Sequence, residues 1–176
     1  NNGFRMDGVI DHGILGRSVS GAGDINGDGF DDVIIGASGA HTNYVVFGKA
    51  AGFNATFDLP TLDGSNGFRL DPPVGDSSGF SVSDAGDVNG DDFDDVIIGN
   101  HYANSSYVVF GKAAGFDAVL DLSSLDGSNG FVLDGTAIDD RIGLAVSNAG
   151  DVNGDGFDDV MVGAIDSSSY PAAGSS

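Results

Sequence analysis

The chain has 176 residues, 30 of them Gly, and all 27 acidic side chains are Asp; against 6 Lys and Arg they leave a formal charge of −21. Asp and Gly are poor helix formers that favour turns, and with no Glu or Gln to cover helical surfaces the composition argues against a helical bundle. The lack of Cys removes disulfides, thiolate metal sites and Cys nucleophiles, the charge repels nucleic acid and anionic membranes, and no apolar run approaches the roughly 18 residues of a membrane span.

In chain order, NGFRMDG at 2–8 comes first and returns as NGFRLD at 66–71 and NGFVLDG at 129–135. This period of 63 or 64 residues makes the chain one repeat array with units 2–65, 66–128 and 129–176, the last truncated. The segment preceding each Asp-rich string, SVSG at 18–21, SVSD at 81–84 and AVSN at 145–148, alternates polar and apolar residues and predicts a strand. After the string, DVIIG at 32–36 and 95–99 and DVMVG at 159–163 are continuous apolar runs, predicting a strand buried on both faces. Tyr44 to Phe47, within YVVFGKAAGF (44–53, repeated at 107–116), supplies a third strand, and Gly67 to Leu70 a fourth. Strands divided by Gly, Asp and Ser turns, without a helical period, predict an all-β fold. Four short antiparallel strands per unit match β-propeller-type blades, about two and three-quarter repeats of them, each burying its faces against its neighbours. By register a third YVVFGK strand should follow residue 163, where a turn-like SSSYPAAGSS at 167–176 stands instead. The N-terminus NNGFRMDG lacks the charged-then-apolar layout of a signal peptide, so an export signal would lie outside this chain.

The sharpest motif is the Asp-rich string itself: DINGDGFDD at 24–32, DVNGDDFDD at 87–95 and DVNGDGFDD at 151–159. Positions 1, 3, 5 and 9 carry side-chain oxygens: Asp24, Asn26, Asp28 and Asp32; Asp87, Asn89, Asp91 and Asp95; Asp151, Asn153, Asp155 and Asp159. The backbone carbonyls of Phe30, Phe93 and Phe157 offer a fifth oxygen each. Hard oxygen donors without His or Cys favour Ca2+, at three sites, over the stricter octahedron of Mg2+. Gly29 and Gly156 support a sharp turn, and Asp92 replaces that glycine in the second loop. An EF-hand would require a bidentate Glu where Ile35, Ile98 and Val162 stand, and the chain has no Glu; a following strand also argues against a dockerin-type pair. Solvated Asp turns remain the plain alternative. Asp31, Asp94 and Asp158, at position 8, are expected to face solvent or cap the turn.

A D-x-N-G-D-G-x-x-D loop between G-x-S-V-S and D-V-I-I-G-A resembles the FG-GAP repeat of the N-terminal β-propeller of integrin α subunits and of many bacterial extracellular proteins. The FG step stands as Leu15-Gly16, Ser78-Gly79 and Ile142-Gly143, and the GAP step as Gly36-Ala37-Ser38, Gly99-Asn100-His101 and Gly163-Ala164-Ile165. The resemblance implies structural calcium ions on the loop joining the first two strands of each blade, in a propeller usually of seven blades. Fewer than three units cannot close such a ring. The expectation is a window of a longer array; a subunit that pairs head to tail into a fibre and a small open propeller are the other possibilities.

Catalytic candidates are thin. His12, His41 and His101 are the only imidazoles and are expected to be exposed loop residues, and no G-x-S-x-G elbow is present. The reading is therefore that the chain is not an enzyme. Arg5, Arg17, Arg69, Lys49, Lys112 and Arg141 are expected to pair with nearby Asp, and Phe30, Phe93 and Phe157 to lie in the core. The sequence predicts a calcium-stabilised extracellular or cell-surface scaffold that self-associates or joins neighbouring repeats, possible assembly being a fibre or surface layer. The alternatives are a cell-adhesion or ligand-recognition propeller fragment, with a protein or glycan ligand contacted by 41–43 and 100–106, and a non-catalytic accessory domain of a secreted enzyme. Nucleic acid and membrane insertion are not expected.

Overall fold

The computed structural model describes residues 3–8, 11–74, 76, 78–113, 115–136 and 140–165. The expected turn at 167–176 lies outside them. The strands are β1 (Arg5–Met6), β2 (Leu15–Gly23), β3 (Asp32–Ala37), β4 (Thr42–Val46), β5 (Thr56–Phe57), β6 (Gly67–Asp71), β7 (Ser81–Gly86), β8 (Asp95–Asn100), β9 (Ser105–Val109), β10 (Val119–Asp121), β11 (Gly130–Asp134), β12 (Ala145–Gly150) and β13 (Asp159–Gly163). Among the described residues, helix is confined to two single 3₁₀ turns, Leu59–Thr61 and Leu122–Ser124. The chain is all-β, as its composition predicts.

Three sheets follow one another in sequence. The first orders its antiparallel strands β2, β3, β4 and β6, the second β7, β8, β9 and β11, and the third pairs β12 with β13. The fourth strand of each complete sheet belongs to the next sequence unit, so both complete sheets straddle a repeat boundary. A register shift just before each Asp loop, at Gly21/Gly23, Asp84/Gly86 and Asn148/Gly150, marks a bulge that turns the chain out of the sheet.

The sheets stack face to face, and side-chain alternation along the strands divides the core between the joints. Ile34, Val45, Phe68 and Leu70 of the first sheet meet Val82, Val96, Ile98, Tyr107 and Val109 of the second. Ile97 and Val108, on the second sheet's other face, meet Val146, Val160 and Val162 of the third. Ile35, Tyr44 and Val46 point away from the second sheet, covered by Leu59 and partly by Met6, Phe53 and Phe57. The apolar runs at 32–36 and 95–99 are therefore buried on both faces, whereas the run at 159–163, expected to be buried likewise, is covered on one face only among the described residues. Val19 is 66% exposed and Met161 57% exposed, whereas their equivalents Val82 and Ile97 are buried; the outer ones have no sheet across from them among the described residues.

Two features escape the sequence pattern. First, β10 pairs in parallel with β6, and β5 in parallel with β1, so the segment before each 3₁₀ turn clasps the outermost strand of the preceding layer. Second, the joints depend on close glycine contact. A Cβ on Gly36 would collide with the Gly79 carbonyl, and one on Gly99 with that of Gly143; Gly79 and Gly143 themselves have φ of +85° and +87°. The loosely kept FG and GAP steps are thus the two halves of one backbone contact between successive sheets. Gly99→Ala should lower stability by about 1–3 kcal/mol, as overpacked sites do. Gly163→Ala, whose nearest neighbour would lie at an ordinary 3.4 Å, should change the denaturant midpoint little. Equal effects of the two substitutions would refute the joint.

Candidate functional site

The three Asp loops lie at one rim of the stack, because each joins the first two antiparallel strands of its sheet. Their oxygens turn inward onto the backbone. Asp24 accepts from Asp28 N at 3.0 Å and Gly29 N at 2.9 Å, Asn26 Oδ1 accepts from Asp28 N at 2.8 Å, and Asp28 accepts from Phe30 N at 3.0 Å. The second loop repeats the pattern: Asp87 accepts from Asp91 N and Asp92 N, Asn89 from Asp91 N, and Asp91 from Phe93 N. In the third, Asp151 accepts from Gly154, Asp155 and Gly156 N–H groups, and Asp155 from Phe157 N. These are Asx-turn contacts, which Asp and Asn make with backbone two to five residues on. Asp92 takes φ +68°, beside +87° for Gly29 and +93° for Gly156, so the second loop keeps the turn.

The last ligand position is anchored differently. Asp32 accepts from Ile25 N at 3.1 Å and from Gly48 N at 2.7 Å, and Asp95 from Val88 N at 3.0 Å and Gly111 N at 2.8 Å, tying loop to the segment after the third strand. Asp159 accepts from Val152 N at 3.0 Å, with Asn153 Nδ2 3.4 Å away. Burial pushes Asp32 and Asp95 up to about 7; backbone N–H groups oppose this, and the neighbours Asp28 and Asp24, or Asp91 and Asp87, add to it. No Lys or Arg forms an ion pair with a loop carboxylate among the described residues. A hard divalent cation fits this donor set in kind: carboxylate, amide and carbonyl oxygens on one turn, around a buried carboxyl lacking a counter-charge. Among the described residues, however, no three Asp or His side chains converge in a metal-holding group.

Several expectations are corrected here. Asp94 and Asp158 do not face solvent or cap their own turns: they reach into the preceding loop, where Asp94 Oδ2 accepts from Asp24 N at 2.7 Å and Asp158 Oδ2 from Asp87 N at 3.0 Å. Only Asp31, in the first loop, is exposed. The loop phenylalanines are not core either. Phe30 and Phe157 are 41% and 44% exposed, and the Phe93 and Phe157 ring edges lie where a Cβ on Gly27 or Gly90 of the preceding loop would be. A contact across more than a full repeat leaves no trace in local periodicity. The cations divide: Arg5 and Arg69 pair with Asp7 and Asp71, but Arg17, Lys49 and Lys112 lie over Phe80, Phe53 and Phe116.

The opposite rim carries the turns between second and third strands. The expected contact segments 41–43 and 100–106 prove largely internal, since Thr42, Asn43, Asn100, Ser105 and Ser106 are buried, with Asn43 Nδ2 donating to Ser78 Oγ at 2.8 Å. His12 and His41 are exposed as expected, while His101 is half-buried against Phe80 and Tyr102. Asp94→Ala should cost about 1–3 kcal/mol, because it strands the half-buried Asp24 N–H. Asp31→Ala should stay within about 0.5 kcal/mol. Urea midpoints of the two variants measure the difference, and matching values would dismiss the loop-to-loop bond.

Residues 15–51 and 80–115 match the FG-GAP repeat family. Integrin alpha pat-2 of Caenorhabditis briggsae is 32% identical over 171 residues, covering 87% of this chain and 13% of that protein. The Caenorhabditis elegans protein of that name is 32% identical over 167 residues, and integrin alpha-8 of Gallus gallus 28% over 158, with 85% and 89% of this chain covered. The chain spans only 13 to 14% of the length of these relatives. With the repeat found in both complete sheets, each holding the same loop and the same glycine joint, the chain is an FG-GAP repeat protein.

Proposed function

We propose that the chain is a segment of an extracellular, β-propeller-type adhesion or ligand-recognition module, non-catalytic, whose Asp loops bind Ca2+ and so hold successive blades in register. The observation that carries the recognition reading is the likeness to integrin alpha proteins across nearly the whole chain. It places recognition ahead of the fibre-forming scaffold. The topology supports it by separating two rims, one of acidic loops and one of turns free to vary without disturbing the loops.

The ion reading is supported by donor chemistry and by charge. Position 1, 3, 5 and 9 side chains, with the carbonyls of Phe30, Phe93 and Phe157, would hold one ion per loop. Three divalent cations would bring the formal charge from −21 to about −15 and supply the counter-charge that Asp32 and Asp95 lack. Because the loops also grip one another through Asp94 and Asp158, ion binding there would stiffen the joints.

Beads coated with the chain should be retained on glycoprotein-coated surfaces in calcium and released by a chelator; no retention on any such surface would overturn the recognition reading, and large particles growing in solution would return the fibre to first place. For sites of ~10⁻⁴ M affinity, ~5 mM Ca2+ should add about 2 kcal/mol per site, with Mg2+ adding less. Alanine at Asp28, Asp91 and Asp155 together should abolish that gain, and an unchanged calcium response would reject the ligand assignment.

A pH series in chelator tests the electrostatics. The carboxyls of Asp32 and Asp95 sit higher in the folded chain, at about 7, than when unfolded, so the folded state binds more protons between about pH 4 and about pH 7. Stability without calcium should therefore fall as pH rises through that window, and calcium should flatten the fall. A rise through the window without calcium would contradict the buried, uncompensated carboxyls.

A further inference from the structure

On a chain with 27 Asp, one cluster on the turn rim brings cationic and aromatic side chains together. Arg17, at the start of the first sheet's inner strand, lies with its guanidinium 5.5 Å from the centre of the Phe80 ring. Phe80 meets His101 edge-on at 4.6 Å and Tyr102 at 5.0 Å, and His101 and Tyr102 lie 4.2 Å apart. Arg141 joins from the third sheet, two residues before Gly143, which packs against Asn100 beside His101. Neither Arg17 nor Arg141 forms an ion pair among the described residues. Tyr102 is 69% exposed, and both arginines are exposed. The buried His101 Nδ1 has no hydrogen-bond partner. Burial first, then the charges of Arg141 and Arg17, holds His101 below its ordinary value, and Ile142, next to Arg141, donates its N–H to Asn104 Oδ1 at 3.1 Å in the same turn as His101.

We propose that Arg17, Arg141, His101 and Tyr102, with Phe80 beneath them, form a binding site for a ring bearing a single carboxylate, the chemistry of a terminal acidic sugar. Guanidinium groups suit carboxylates because their planar donors match two oxygens at once. The exposed Tyr102 ring supplies a platform for the apolar face of the sugar. A polyanion is disfavoured by the −21 charge around the site, whereas one carboxylate on an uncharged body meets only the local arginines. An acidic peptide side chain would use the arginines and leave the rings idle. The site deepens the recognition reading above and rests on it.

The test is a titration of the isotope-labelled chain in calcium buffer, followed by amide and ring chemical shifts. Methyl glucuronoside should shift His101 and Tyr102 and saturate with a Kd of order 1 mM, about −4 kcal/mol. Methyl glucoside, which lacks the carboxylate, and N-acetylaspartate, which lacks the ring, should each bind at least about tenfold more weakly, the ratio that 1.4 kcal/mol gives. Arg141→Gln and Tyr102→Ala should weaken the glucuronoside by a similar factor; Arg141, being exposed, carries the test if the Tyr102 variant melts early. Equal binding of glucoside or acetylaspartate, shifts confined to the Asp loops, or indifference to Arg141→Gln would overturn the site. A chain that is retained on glycoprotein surfaces yet ignores glucuronoside refutes this site alone; a chain that does neither refutes the recognition reading as well.

Discussion

A sheet with apolar side chains on both faces cannot be stable by itself, and the rest of this structure follows from how that need is met. Ile34 and Ile35, adjacent in one strand, point to opposite faces and into separate clusters, so such a sheet needs a covering layer on each face. The joint that satisfies them is built twice from equivalent parts: Gly79 against Gly36 and Gly143 against Gly99, Phe93 over Gly27 and Phe157 over Gly90, Asp94 onto Asp24 and Asp158 onto Asp87. Burial supplies the drive and glycine permits the approach. The cross-loop carboxylates fix the register, since a slip of one residue would separate each from its amide.

Aspartate serves this architecture in more than one way, and position within the loop decides which. The first and fifth loop residues accept bonds from nearby amides and shape the turn, the eighth of the second and third loops joins each to the loop before, and the ninth of the first two is buried and bonded to the segment after the third strand. Concentrating these groups is costly while they lack counter-charge, as the raised Asp32 and Asp95 show. The few cations do not relieve it. Five of the six lie over rings or pair with Asp away from the loops, and none forms an ion pair with a loop carboxylate among the described residues.

The separation of rims matters for recognition. Changes in the turns that carry His41 and Tyr102 need not disturb the loops, because the two are at opposite ends of the same strands. Strand burial also narrows the available contact surface: Asn100, Ser105 and Ser106 are buried and 101, 103 and 104 half-buried, leaving Tyr102 as the prominent exposed side chain. Aromatic contacts there bring together side chains from successive layers, as Arg17 and Phe80 illustrate.

Composition and repetition alone determined the all-β class, the period and the four antiparallel strands of each complete sheet. Those features are local: alternation, β-branched runs and Asp spacing act within about ten residues, where a single sequence is legible. Asp92 could also be read in advance as a tolerable stand-in for glycine, and its φ of +68° agrees. Only the tertiary structure decided what depends on contacts roughly one repeat apart. It turned Asp94 and Asp158 from solvent towards the neighbouring loop, placed the loop phenylalanines on glycines instead of in the core, drew Arg17 and both lysines onto rings, and added the parallel clasp of β10 on β6. Repetition shows that equivalent residues exist in each unit, but not which of them touch, because that is set by the stacking geometry of whole sheets.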